Sequence, residues 1–335
     1  MARFALILAA MVAFLVTAGA ANLLVPALGR IRAARLNRGA KAGAVLNPKT
    51  AGIPTMGGLA VVLGVVVAVG AAWMGLTVLD PELLDGHQKM NLVLALAGAF
   101  AFGAVGFADD YLREVMDRRR GLRGWQRTLL QILVITCFMA GLHFNGSFDT
   151  GMVVPFAGYV DFGLAYYPLA YLLILWLLNG AEAADETAGA SAGAAFAAML
   201  GAAVICGLLN YFQLAVFAAA MAGGLLAFLL WNFPPAKVFG GRTGSGFFGG
   251  ALVTIAFCMG WPSLLVLLGA MYLLEGLAML LQRLSFRMRK KLLFTVSPLH
   301  TALMRAGWGE ARIAGAYIAF SMIFTLLALL FVRIS

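Results

Sequence analysis

The chain has 335 residues, 63% of them hydrophobic and 11% charged, with a mean hydropathy of +0.94. No water-soluble core hides that much apolar surface, so lipid has to be the solvent. The formal charge of +10 then reads as membrane topology first and attraction for anionic partners second; no basic stripe is interleaved with exposed aromatics, so nucleic acid is not an expected partner.

A spanning helix takes roughly 20 mostly apolar residues, and such runs are predicted near 3–25, 56–79, 90–108, 128–144, 162–178, 190–208, 212–231, 246–260, 263–282 and 313–332. The fold class is therefore an all-α polytopic membrane protein, a single transmembrane domain over 1–335 with about ten helices. The first run is too long for the apolar core of a signal peptide and has no convincing small-residue cleavage site, so it is expected to stay as a span. All the Lys and Arg except Arg3, Lys89 and Arg333 fall on four segments that share one side, from Arg30 to Lys49, Arg113 to Arg127, Lys237 to Arg242 and Arg283 to Arg312. By the positive-inside rule that side is cytoplasmic, which puts both termini outside and requires an even number of spans. The opposite loops carry Asp80, Glu82, Asp85, Asp149 and Asp161.

The second span is entered through Asn47 to Gly58, where Pro fixes the helix start and Lys49 is placed to snorkel. The third closes on Gly106-Phe107-Ala108-Asp109-Asp110-Tyr111. Two adjacent carboxylates at a helix C-terminus face the negative end of the macrodipole and repel each other, so they need a cation. Mg2+ held beside a phosphate substrate is one candidate; Arg113 with the Arg118 to Arg120 run is the other, and spacing alone favours the arginines. Spans six and seven are separated only by Asn210, Tyr211 and Gln213. Between spans seven and eight, Phe233 to Gly246 is Gly-rich and carries Lys237 and Arg242. That composition suits a loop whose amides approach an anion, or equally a tight turn. Glu275 sits inside the ninth span as the one mid-membrane carboxylate, and His300 is a lone histidine on the last basic loop, a setting more often structural than catalytic. Cys137, Cys206 and Cys258 all fall within spans and are expected to be small packing residues.

Taken in order, these segments resemble the MraY family, the phospho-N-acetylmuramoyl-pentapeptide transferases, within the polyprenyl-phosphate aminosugar-phosphate transferases. The boxes that carry the resemblance are Pro54-Thr55-Met56-Gly57-Gly58, Gly106 to Tyr111, Gly121-Leu122, Asn179 to Gly189, Pro235 to Phe239 with Thr243-Gly244-Ser245, Glu275, and Pro298-Leu299-His300 with Gly307-Trp308. The resemblance implies ten transmembrane helices in the bacterial inner membrane and an active site at the cytoplasmic face. It also implies Mg2+-dependent transfer of a sugar phosphate from a uridine diphosphate sugar to undecaprenyl phosphate with release of UMP, and in many members a homodimer. Carried over residue by residue, it implies Asp109 and Asp110 as metal-binding and catalytic groups with His300, and Lys49, Thr55, Arg120, Asn179 and Asp185 around the substrates.

The departures from the family pattern fall on polar positions. Arg242 stands where the family has an Asp of the metal set, Glu182 replaces an Asn, Ala188 an Asp, and Thr301 and Ala302 two of three successive histidines; Arg120 replaces a Lys, and Thr50 aligns with another Lys that leaves Lys49 one place off. A unit charge about 4 Å away is worth about 4 kcal/mol at an effective dielectric of about 20, and a guanidinium beside a divalent ion has the wrong sign. Arg242 is therefore expected to pair with Asp109 and Asp110 in the metal's place. Three readings stand: a family scaffold with lost or reduced transferase activity that binds a lipid phosphate or a partner, a transferase with rearranged ligands drawn from Glu182, Asp185 and Glu186, and an unrelated transporter.

Overall fold

The computed structural model describes residues 2–39, 52–79, 86–116, 121–154, 158–289 and 299–334. In chain order these form α1 (Ala2–Gly39), α2 (Gly58–Leu79), α3 (Gly86–Glu114), α4 (Gly124–Phe144), a two-stranded antiparallel hairpin of β1 (Gly151–Val154) and β2 (Gly158–Asp161), α5 (Tyr166–Ala184), α6 (Ala190–Leu208), α7 (Phe212–Asn232), α8 (Gly241–Cys258), α9 (Leu264–Leu268), α10 (Ala270–Arg289), α11 (Leu299–Arg305) and α12 (Glu310–Ile334). Among the described residues, eight helices are long and apolar enough to cross a bilayer: α1 to α7 and α12. The all-α polytopic membrane class expected from composition is the class observed.

Large apolar side chains such as Leu23, Met74 and Leu330 face outward, 78%, 68% and 55% exposed, which only a lipid surround makes favourable. The interior is built from small residues. Helix α8 is the central element and is buried along nearly its whole length. Its glycines let α3 approach closely: a Cβ added at Gly246 would stand 2.8 Å from the Phe102 carbonyl oxygen, and one at Gly250 would stand 2.9 Å from Phe102 Cβ. Apolar side chains gain nothing by leaving lipid, so helix association in a bilayer relies on close packing of this kind.

Several expected boundaries move, and the moves build the site. Helix α1 does not stop at residue 25 but runs through Pro26 to Gly39; a proline costs the backbone one hydrogen bond, which a membrane helix with packed neighbours tolerates. Helix α3 continues one turn past Asp109 and Asp110 to Glu114, so the two aspartates lie inside the helix and not at its end. Helix α5 is shifted along the chain to 166–184, which puts Glu182 in its last turn. Helix α8 starts at Gly241, not at residue 246, so Arg242 and Thr243 belong to a first helical turn and not to a loop. The ninth span is not one helix over 263–282: it breaks at Gly269 into α9 and α10. The uncertain break between spans six and seven falls at Leu209 to Tyr211 as expected, with Asn210 at φ 62. The β-hairpin was not anticipated. Of the three cysteines, Cys206 and Cys258 are buried as expected, but Cys137 is exposed on the outer face of α4, where a small apolar residue serves lipid as well as it serves a core.

Candidate functional site

A cavity of about 620 Å³ opens at the end of the bundle that carries the basic segments, lined by Arg32, Thr55, Asp110, Arg127, Glu182 and His300 among others. Its geometry starts from the first turn of α8. The box before α2 is tied to that turn by backbone hydrogen bonds: Gly57 N–H donates to the Phe239 carbonyl at 2.9 Å, Gly58 N–H to Gly240 at 3.0 Å, and Phe239 N–H to Pro54 at 2.9 Å. The free amides of the α8 N-terminus are then satisfied by carboxylates of the chain itself. Gly241 N–H donates to Asp185 Oδ2 at 2.7 Å, while Thr243 donates to Asp110 Oδ2 from its N–H at 2.9 Å and its hydroxyl at 2.8 Å. A helix N-terminus ordinarily seeks such oxygen acceptors, and the groups the Gly-rich segment approaches are the carboxyls of Asp185 and Asp110. Burial pushes the Asp185 carboxyl well above the usual carboxylate range, against the opposing pull of the Gly241 amide.

Asp109 faces the other way. Its Oδ1 accepts from Leu122 N–H at 2.6 Å, and its Oδ2 pairs with the Arg242 guanidinium and has Arg113 3.9 Å away. The Leu122 contact explains Gly121, which has φ +55 and whose added Cβ would stand 2.5 Å from Asp109 Oδ1; only glycine takes that conformation there without strain. Arg242 Nε lies 3.6 Å from Glu182 Oε2, which also pairs with Arg127 at 2.9 Å. Arg242 therefore pairs with Asp109 as its charge requires but takes Glu182, not Asp110, as its second partner, because Asp110 is already held by Thr243.

A second buried cluster docks α11. Glu275 is fully buried and accepts from Leu299 N–H at 2.8 Å, from His300 N–H at 3.3 Å, from His300 Nδ1 at 3.1 Å and from the Tyr317 hydroxyl. The other ring nitrogen, His300 Nε2, is 3.6 Å from Glu186. Burial of the ring disfavours its charge, but the Glu186 and Glu275 carboxylates outweigh it and push its pKa up to about 9. Glu275 is thus no isolated mid-membrane carboxylate; it lies at the level of the cavity, satisfied by α11 and α12. At the rim, Arg32 and Arg35 of the extended α1 both reach Glu114 of the extended α3, at 2.8 and 2.7 Å.

The expected site residues divide as follows. Asp110, Thr55, Asn179, Asp185, Glu182, Arg242, His300 and Thr301 line the one cavity, with Asp109 buried beside it. Asn179 spends one amide hydrogen on the Leu175 carbonyl at 2.6 Å, while the Thr55 hydroxyl and Arg127 Nε are buried with no hydrogen-bond partner. Ala188 is buried and does not line the cavity, and Ala302 lies on α11. Lys49 and Arg120 lie outside the described residues. Sequence reasoning missed Arg32 and Arg127 as cavity cations; for Arg127 the signal was there, a cation one turn beyond Gly121-Leu122 at the start of a helix.

The divalent ion that the resemblance implies does not fit this donor set. Among the described residues no three His, Cys, Asp or Glu side chains are grouped to hold a metal. Both Asp109 oxygens and Asp110 Oδ2 are engaged by donors of the chain, and a guanidinium stands between Asp109 and Glu182.

Comparison with known proteins places this arrangement. A family model described as glycosyl transferase family 4 matches residues 92–260. The phospho-N-acetylmuramoyl-pentapeptide-transferase of Halalkalibacterium halodurans is 32% identical over 97% of this chain and 96% of its own length. The protein of the same name from Heliobacterium modesticaldum is 36% identical over 92% and 91%, and that of Bacillus subtilis 32% over 94% of each.

Proposed function

The chain belongs to the phospho-N-acetylmuramoyl-pentapeptide-transferase family, within glycosyl transferase family 4, and from that premise we propose that it holds a polyprenyl phosphate head group at the cytoplasmic face of the bacterial inner membrane, with transferase activity lost or strongly reduced. In this reading the whole chain works as one transmembrane domain of ten spans with both termini outside, and the cavity opens to the cytoplasm where the basic segments gather. The observation that carries it is the Arg242 guanidinium paired to Asp109, at a position where the family places a carboxylate of its metal set. Anion binding survives that change. Arg32, Arg113 and Arg127 line the cavity with Arg242, and the unpartnered Thr55 hydroxyl and Arg127 Nε are donors suited to phosphate oxygens. Transfer does not survive in this reading, because the divalent ion on which the family's transfer depends has no place in the described donor set. Recognition of the uridine diphosphate sugar is weakened too, with Glu182 and Ala188 at positions the family uses around the nucleotide and sugar.

The test is an assay of the full chain in nanodiscs with undecaprenyl phosphate, uridine diphosphate N-acetylmuramoyl-pentapeptide and Mg2+. UMP release is expected to stay at background while undecaprenyl phosphate still binds and is weakened by salt. The rival reading, a transferase with rearranged ligands, is favoured by Asp110, Glu182, Asp185 and Glu186 lining the same cavity. Mg2+-dependent UMP release that Asp109→Asn abolishes would establish that rival and remove the first.

A further inference from the structure

Two of the departures from the family pattern meet in space. Arg242 Nε stands 3.6 Å from Glu182 Oε2 while the same guanidinium pairs with Asp109. Beyond them Arg127 pairs with Glu182 at 2.9 Å, and Arg113 lies 3.9 Å from Asp109. The five side chains alternate in sign, Arg127, Glu182, Arg242, Asp109, Arg113, and end in a cation on both sides, so the row carries a net positive charge. Asp109 is fully buried and Glu182 is 16% exposed. A buried charge that loses its partner is costly, whereas a matched pair is tolerated. Arg242 without Glu182 would leave Arg127 and its own Nε without a carboxylate, and Glu182 without Arg242 adds a carboxylate to a place that already holds Asp109 and Asp110. Each change is supported by the other.

We infer that Glu182 and Arg242 are a matched pair that builds a tethered cation into the place the family gives to a divalent ion, so that a phosphate monoester binds this cavity without any free metal. The second half of that statement rests on the lipid-phosphate reading above; the first half rests on the ion-pair geometry alone. The outer end of the row points the same way, since Arg127 spends one nitrogen on Glu182 and keeps its buried Nε without a partner. That donor is what a phosphate oxygen would take. A guanidinium fixed to the wall stands where the family has a divalent ion, and its planar fork suits a single phosphate group.

Two measurements on the full chain in nanodiscs separate the two halves. In a thermal-unfolding cycle, Glu182→Gln and Arg242→Gln should each lower the midpoint by several degrees, and the double variant should lose clearly less than the two losses summed, although Asp109 and Arg127 each still lack one partner in it; additive losses would show that the two residues are not a pair. In a binding assay with farnesyl phosphate, the wild type should give one affinity whether excess Mg2+ or EDTA is present. Arg242→Asp should lose about 10- to 100-fold in EDTA and regain it with Mg2+, and Arg242→Gln should lose it in both. Wild-type binding that needs Mg2+, or an Arg242→Gln variant that binds as tightly as wild type, would overturn the tethered cation. Absence of wild-type binding in either condition would remove the lipid-phosphate reading and metal-free binding with it, while the unfolding cycle still decides the pairing.

Discussion

Asp109 and Asp110 are identical neighbours in sequence and opposite in environment. Successive helical residues diverge by about 100°, so the two carboxylates meet different walls: Asp109 meets Arg242 and the Leu122 amide, Asp110 the first turn of α8. The Arg242 to Asp109 pair was legible from the sign of the charges. Its second partner was not, because nothing in the sequence says that Thr243 satisfies Asp110 first or that the last turn of α5 brings Glu182 within reach. His300 shows the same limit. Its isolation on a basic loop suggested a structural role and the resemblance a catalytic one, and its charge state depends on Glu186 and Glu275 from two other segments, which neither reading supplied. The raised pKa has a direct consequence. A group whose folded pKa of about 9 exceeds its ordinary value of 6.5 stabilises the fold fully below the ordinary value and loses that contribution as pH rises through the folded one. Docking of α11 should therefore weaken between pH 7 and pH 10, by on the order of 3 kcal/mol. Amide hydrogen exchange over residues 299–305 should speed up across that range beyond the intrinsic rate, and His300→Gln should flatten the dependence. Protection that is the same in wild type and variant at every pH would refute the assignment.

At the scale of elements, hydropathy located the spans and misplaced their ends at the site. The apolar signal fades where a helix leaves lipid, so α1, α3 and α5 were cut short of the turns that carry Arg32, Glu114 and Glu182. Glycine misled in the same way: the run from Gly241 to Gly246 reads as a loop by propensity, but in the bundle it is the start of α8, where small residues are what close packing demands. The break at Gly269 and the β-hairpin left no periodic trace long enough to register. The α3–α8 crossing is the part of this scheme most open to test. Gly250→Leu would drive a side chain into Phe102, already 2.9 Å from an added Cβ, and overpacking of this kind costs roughly 1–3 kcal/mol or more. The unfolding midpoint of the variant should fall clearly, whereas Gly70→Leu, at a site with no atom within 4 Å, should leave it nearly unchanged.

For the whole molecule, the sequence conveyed class and family well and chemistry only in part. Composition is a bulk property and survives any local error, so a polytopic helical bundle followed from it directly. The ordered boxes carried the family because they fix backbone: Gly57 and Gly58 strap α2 to α8, and Gly121 makes room for the Leu122 amide at Asp109. Of the polar positions where the sequence departs from the family's boxes, Glu182 and Arg242 lie in one row of alternating charges. Whether Arg242 excludes a divalent ion from the cavity can be read without any turnover, by electron paramagnetic resonance of Mn2+ titrated into the wild-type protein and into Arg242→Asp. The wild type should take up no stoichiometric Mn2+ and the variant should bind it; one tightly bound Mn2+ per wild-type chain, lost on Asp109→Asn, would contradict the account.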